Sequence, residues 1–112
     1  MSSDKLTSIH TAQIDEIHDV PLIVIRRPIP PVLDEVKVKS LMETYKTNPN
    51  QIPPIDVMWI KGSEGGNYYY SFGGCHRFEA VKRLKMEKIK CKLFQTSADD
   101  LLFYLGTKPD LK

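Results

Sequence analysis

The sequence predicts a compact single α+β domain, a small mixed sheet with flanking helices, and three observations carry that reading. Apolar β-branched runs, helical stripes and alternating strands follow one another without the regular alternation of a doubly wound sheet. Two strand-like segments are joined by a short glycine-rich link, which calls for an antiparallel hairpin. The chain has 112 residues, and a chain of about that length buries roughly two-thirds of its unfolded surface, enough for one core.

Residues 1–17 are expected to form a loosely ordered polar leader with Leu6, Ile9, Ile14 and Ile17 as scattered apolar anchors, and residues 18–112 to form the domain. His10 and His18 read as surface residues. Val20–Ile25 is nearly all apolar and β-branched, so it predicts one buried strand ending at Arg26-Arg27, with Pro21 tolerated at its start. Pro28, Pro30 and Pro31 lack amide donors and make the next segment a stiff extended loop. Asp34 is a candidate N-cap, and Val38, Leu41, Met42 and Tyr45 share one helical face, so a helix is expected over Asp34–Lys46. Beside that face, Lys37, Ser40 and Thr44 stack an ammonium and two hydroxyls in a stripe that could line a cleft or simply face water.

Ile55–Ile60 and Tyr68–Phe72 read as the hairpin strands, joined by a mobile glycine-rich tip. Phe78, Val81 and Leu84 then recur like a buried helical stripe. Ile89, Cys91 and Leu93 alternate with Lys88, Lys90 and Lys92, the period of a strand with one wet face. Ser97 and Asp100 suggest a capping box opening a last helix over Ala98–Leu105, with Gly106 as its stop.

Hydrophobic residues at 41% and charged residues at 27% exclude disordered, collagen-like and disulfide-stapled classes. Lys and Arg number 16 against 14 Asp and Glu, a net charge of +2, which weakens the case for a purely electrostatic nucleic-acid binder. No apolar run is long enough to span a bilayer, and the acidic opening is unlike a targeting peptide. A cytoplasmic monomer with reduced thiols and no membrane partner is therefore expected.

The chemistry concentrates in Phe72-Gly73-Gly74-Cys75-His76-Arg77, which leaves a strand, passes two glycines and enters a helix. Unpaired amides and the positive dipole end favour an anion there, so the turn could bind a phosphate and hold Cys75 as a thiolate nucleophile. A turn that merely needs two glycines is the blander alternative. Arg77 follows Cys75 too closely for a Cys-based phosphatase loop, and Cys75, His76 and Cys91 lack zinc-ligand spacing, so no metal site is expected. Cys91 reads as a small core hydrophobe. Arg26 or Arg27 could deliver a guanidinium to the site, and the spacing does not choose between them.

From about His18 onward the chain resembles the sulfiredoxin family, through Ile25-Arg26-Arg27-Pro28-Ile29-Pro30-Pro31, Pro53-Pro54-Ile55-Asp56-Val57, Tyr70-Ser71-Phe72-Gly73-Gly74-Cys75-His76-Arg77 and Tyr104-Leu105-Gly106. The resemblance implies a ParB/sulfiredoxin-like fold and the activity already known for that family, ATP-dependent rescue of cysteine sulfinic acid in typical 2-Cys peroxiredoxins. It implies Cys75 as nucleophile and Arg27 as the guanidinium beside it. Lys37, Ser40, Thr44, Gly74, Cys75, His76 and Arg77 would hold ATP, with Mg2+ carried on its phosphates. Phe72, Tyr104, Met58, Phe94 and Phe103 would form the peroxiredoxin-docking face. Asp56 is expected to orient Arg27 or another cation. Some members carry a second Cys between the first helix and Pro53; its absence here implies an external thiol reductant, glutathione or thioredoxin.

Two other readings remain open at this level. The same strand, glycine turn and basic helix occur in ParB-like nucleotide-binding modules associated with nucleic acid, and Lys82, Arg83, Lys85, Lys88, Lys90 and Lys92 lend that some support. A thiol chaperone that binds peroxiredoxin without ATP chemistry is the other.

Overall fold

The computed structural model describes residues 17–112, so all of the expected leader but Ile17 lies outside the described residues. The elements, in chain order, are β1 (Ile17–Pro21), β2 (Ile25–Arg26), α1 (Glu35–Thr47), β3 (Ile55–Lys61), β4 (Asn67–Tyr70), α2 (Cys75–Arg83), β5 (Lys88–Thr96) and α3 (Leu102–Leu105). They form one five-stranded mixed sheet of order β1-β5-β3-β4-β2. At its centre β3 runs parallel to β5, with Met58 beside Phe94, and antiparallel to β4, with Met58 beside Tyr70. The α+β class and the hairpin expected from the sequence are both present.

The expected single strand over Val20–Ile25 is instead two strands on opposite edges of the sheet, separated by a 3-10 turn at Leu22–Val24. Pro21 has no amide to continue a ladder, and the Leu22 amide turns aside to donate to the Glu87 carbonyl at 2.9 Å. In a flat sheet, four strand spacings would separate β1 from β2 by about 19 Å, whereas the chain from Pro21 to Ile25 reaches at most about 14 Å. The sheet must therefore curl until its edges can be bridged. Val20 and Ile25 consequently enter the same core, while Ile23, at the tip of the bridge, is left 92% exposed.

Side chains of β3 alternate between two cores, as strand period demands. Ile55 and Val57 join Val20, Ile25, Val81, Ile89 and Cys91 in one, against which Tyr45 of α1 and Phe78 of α2 pack. Ile60 joins Tyr70 and Leu101 in the other, with Met58, Phe72, Leu105 and Leu111 packed around it. Helix α1 begins where its residues predict: the Asp34 carboxylate accepts from the amides of Val36 at 3.0 Å and Lys37 at 3.4 Å. The two helices are clamped by Arg83, which donates to both Glu35 oxygens at 2.7 Å and to Glu79 at 2.8 Å.

Three local expectations are corrected. The hairpin tip is held in place by the tail of the chain, because the amides of Ser63 and Glu64 donate to the carbonyls of Leu111 and Lys112 at 2.9 and 2.7 Å. Ser97 makes no side-chain cap, and Ala98–Leu101 is a 3-10 turn leading into the short α3, which Gly106 closes in the left-handed conformation. Strand β4 ends at Tyr70 rather than Phe72, although the Ser71 amide still donates to the Arg26 carbonyl at 3.0 Å. The backbone beyond it bends into the glycine turn.

Candidate active site

The site is built where β2, β4 and the start of α2 converge. Gly74 is the N-cap of α2 and adopts φ +68°, ψ +28°, a left-handed conformation that glycine enters without steric cost. A Cβ there would also lie 2.5 Å from Cγ2 of Ile55, so the turn can press on β3 only as glycine. Gly73 is different, because a Cβ on it would meet nothing within 4 Å. Cys75 follows as the first residue of α2, half-buried and free.

Arg27, directly after β2, lies against that sulfur. Its Nη2 donates to Sγ of Cys75 at 2.8 Å, and its Nη1 donates to Ser71 Oγ at 2.9 Å and to the Gly73 carbonyl at 2.8 Å. The guanidinium carbon sits 4.9 Å from the centre of the Phe78 ring, a cation-π contact that packs it from the side. Arg26 points elsewhere, over the rings of Tyr68 and Tyr70 at 5.2 and 5.8 Å. Successive residues of a strand face opposite ways, so only one of the pair can reach Cys75.

His76 ties the start of α2 to α1: its Nε2 accepts from the Asp34 amide at 3.0 Å. Arg77 donates from Nη1 to the carbonyls of Pro53 and Pro54, both at 3.0 Å, which fixes the loop entering β3. Asp56 does not pair with Arg27 through its carboxylate among the described residues. Its main-chain carbonyl instead lies 3.2 Å from Ser71 Oγ, so it reaches Arg27 through the serine. Ser71, 2% exposed, is the participant that residue patterns missed, since a lone hydroxyl after a strand looks like any turn residue.

On α1, Lys37 and Ser40 are exposed and Thr44 half-buried, its hydroxyl donating to the Ser40 carbonyl at 3.1 Å. On the opposite face of the sheet, Phe72 stacks on Tyr104 with centroids 4.2 Å apart and planes 5° from parallel. Met58, Tyr70, Phe72, Gly73, Gly74 and Tyr104, with Asp56 and Arg77, line a cleft of about 410 Å³ there. Phe94 lies beside Met58 in the register, and Phe103 stands 88% exposed on α3.

The second thiol is set apart from this chemistry. Cys91 is fully buried in the helix-covered core, its Sγ within 3.3 Å of the Ile89 carbonyl. Burial, helped by the nearby Asp19 charge, pushes it up to about 12. Among the described residues no cluster of three or more His, Cys, Asp or Glu could hold a metal ion, and no helix is long and apolar enough to cross a membrane. The glycine turn presents amides and guanidinium groups, a donor set suited to phosphate.

The family model described as the ParB N-terminal domain matches residues 6–107. A sulfiredoxin from Schizosaccharomyces pombe is 42% identical over 115 residues, spanning 90% of this chain and 92% of the relative. The crystal structure of sulfiredoxin from Arabidopsis thaliana superposes with a TM-score of 0.68 at 36% identity, covering 80% of this chain and 97% of that one. Part of the BEACH domain-containing protein lvsE of Dictyostelium discoideum is 50% identical over 95 residues, 84% of this chain, and the chain spans only 4% of that protein's length. Within the ParB N-terminal domain fold, the chain belongs to the sulfiredoxin family.

Proposed function

We propose that this chain repairs hyperoxidised typical 2-Cys peroxiredoxins, using ATP to activate the sulfinate and Cys75 to attack it. A sulfinate oxygen is a poor leaving group until it is phosphorylated. The peroxiredoxin sulfinate attacks the γ-phosphorus of ATP, releasing ADP and forming a sulfinyl phosphoryl ester. The Cys75 thiolate then attacks sulfur, the S–O bond to phosphate breaks, and phosphate leaves with the bonding pair to give a thiosulfinate. An external thiol attacks the Cys75 sulfur, releases the peroxiredoxin as sulfenic acid and leaves a mixed disulfide that a second thiol resolves.

The observation that carries this reading is the Arg27 guanidinium 2.8 Å from Cys75 Sγ at the start of a helix opened by a glycine turn. A fixed cation and helix-start amides suit an anionic phosphoryl group whose charge must be stabilised as it transfers. The same donors would hold ATP phosphates at Gly74, Cys75, His76 and Arg77, and Mg2+ carried on those phosphates would supply further neutralisation of their charge. The α1 stripe of Lys37, Ser40 and Thr44 would hold the rest of the nucleotide. Phe72, Tyr104, Met58, Phe94 and Phe103 would dock the peroxiredoxin, as the stacked and exposed rings on that face suit an apolar partner segment.

Buried Cys91 is poorly placed to resolve an intermediate, so glutathione or thioredoxin is the proposed reductant. Both cysteines are free, which suits a reducing compartment, and the proposal is of a cytoplasmic monomer with no nucleic-acid partner. The test follows sulfinic acid loss and phosphate release together on a sulfinylated 2-Cys peroxiredoxin with ATP, Mg2+ and thiol. Wild type is expected to lose sulfinic acid only with ATP, and Cys75→Ser is expected to lose none. Repair by Cys75→Ser, or by wild type without ATP, would overturn the reading.

A further inference from the structure

We infer that Ser71 is a positioning residue that aims the Arg27 guanidinium at Cys75 without neutralising its charge. The inference rests on the reading of Cys75 as the reacting group. An arginine that must serve an anion needs its direction fixed, and a carboxylate partner would fix it at the expense of its positive field. Among the described residues, Arg27 has no such partner. Its Nη1 is held by two neutral oxygens, Ser71 Oγ at 2.9 Å and the Gly73 carbonyl at 2.8 Å, which leaves Nη2 on the sulfur at 2.8 Å.

Ser71 is suited to this because its own geometry is constrained from several sides. The residue is 2% exposed, its amide donates to the Arg26 carbonyl at 3.0 Å, and its hydroxyl lies 3.2 Å from both the Asp56 and the Gly73 carbonyls. A hydroxyl has one proton and two lone pairs. With the proton given to a carbonyl, a lone pair faces Arg27. One buried oxygen thus joins the end of β2, the middle sheet strand β3 and the glycine turn to the direction of the guanidinium. Buried hydrogen-bond networks of this kind hold orientation because an unmet partner is costly.

The test measures iodoacetamide alkylation at Cys75, read by mass spectrometry, against pH in wild type, Ser71→Ala and Ser71→Thr. Ser71→Ala is expected to slow alkylation about five-fold at neutral pH, the worth of one ordinary hydrogen bond. Its rate should converge with wild type at alkaline pH. Ser71→Thr, which keeps the hydroxyl, should recover most of the neutral rate. In sulfinate repair, Ser71→Ala should lower kcat and leave the KM for peroxiredoxin unchanged.

A folded Ser71→Ala with the wild-type alkylation profile would overturn the inference. So would equal slowing at every pH, which reports altered access. If Ser71→Ala is too unstable to assay, Ser71→Gly removes the same hydroxyl without adding volume or a second thiol and carries the same comparison. Should wild type fail to repair sulfinate, the functional reading falls while the alkylation profiles still judge Ser71.

Discussion

The two cysteines show how position divides one side-chain chemistry into two. Cys75 opens a helix beside a guanidinium, whereas Cys91 lies fully buried among aliphatic side chains. The Cys91 thiol is raised from 9.0 to about 12, so in that window the folded chain keeps a proton that the unfolded chain has released. Stability from this group is present below pH 9 and falls as pH rises towards 12. Cys91→Ala should therefore lose less stability than wild type between those pH values, measured as thermal midpoints of the two proteins side by side; parallel curves would reject it. The alternation of Ile89, Cys91 and Leu93 made the burial of Cys91 legible. Nothing comparable marked Ser71, whose partners Asp56 and Arg27 lie 15 and 44 residues away.

At the scale of elements, the clamp between α1 and α2 has an electrostatic signature. Hydrogen bonding to Arg83 is the largest cause holding Glu35 below its ordinary 4.5. A depressed carboxylate contributes stability above its unfolded value, and that contribution is lost as pH falls through the lower folded value. Glu35→Gln is expected to lower Tm at neutral pH, with the difference shrinking in acid and in molar salt. Arg83→Lys should not substitute, since an ammonium cannot engage two Glu35 oxygens and Glu79 as one planar fork. A Tm for Glu35→Gln equal to wild type at low salt would show that the clamp contributes nothing. Helix α1 was readable to its cap because the signals are local, while the division of Val20–Ile25 into two edge strands was not. That division requires the two edges of a five-stranded sheet to lie within reach of the three-residue bridge Leu22–Val24, a property of the strands together.

Across the whole molecule, the tail joins parts that lie far apart in sequence. Leu111 packs with Leu105 against the second core while the carbonyls of Leu111 and Lys112 cap the β3–β4 turn. A Cβ on Gly62 would run into the carbonyl carbon of Lys112 and lie 2.9 Å from the Tyr68 ring. Gly62→Ala is expected to cost about 1–3 kcal/mol, seen as a lower Tm. Removing Leu111 and Lys112 in that background should cost less than removing them from wild type, because both changes break one contact. Strict additivity would place the damage elsewhere.

The sequence by itself determined the α+β class, the hairpin, the start of α1, the glycine turn that opens α2 and the family to which the chain belongs. Those features rest on side-chain period, capping and turn chemistry acting over a few residues, or on a contiguous motif. The spacing of residues left Arg26 and Arg27 equivalent and the family motif chose Arg27, whereas only the tertiary structure decided that Ser71 holds that guanidinium, that Asp56 meets Ser71 through its carbonyl, and that the hairpin tip is held by the tail. Each joins residues 15 or more positions apart in the chain, a meeting in space that no local pattern encodes.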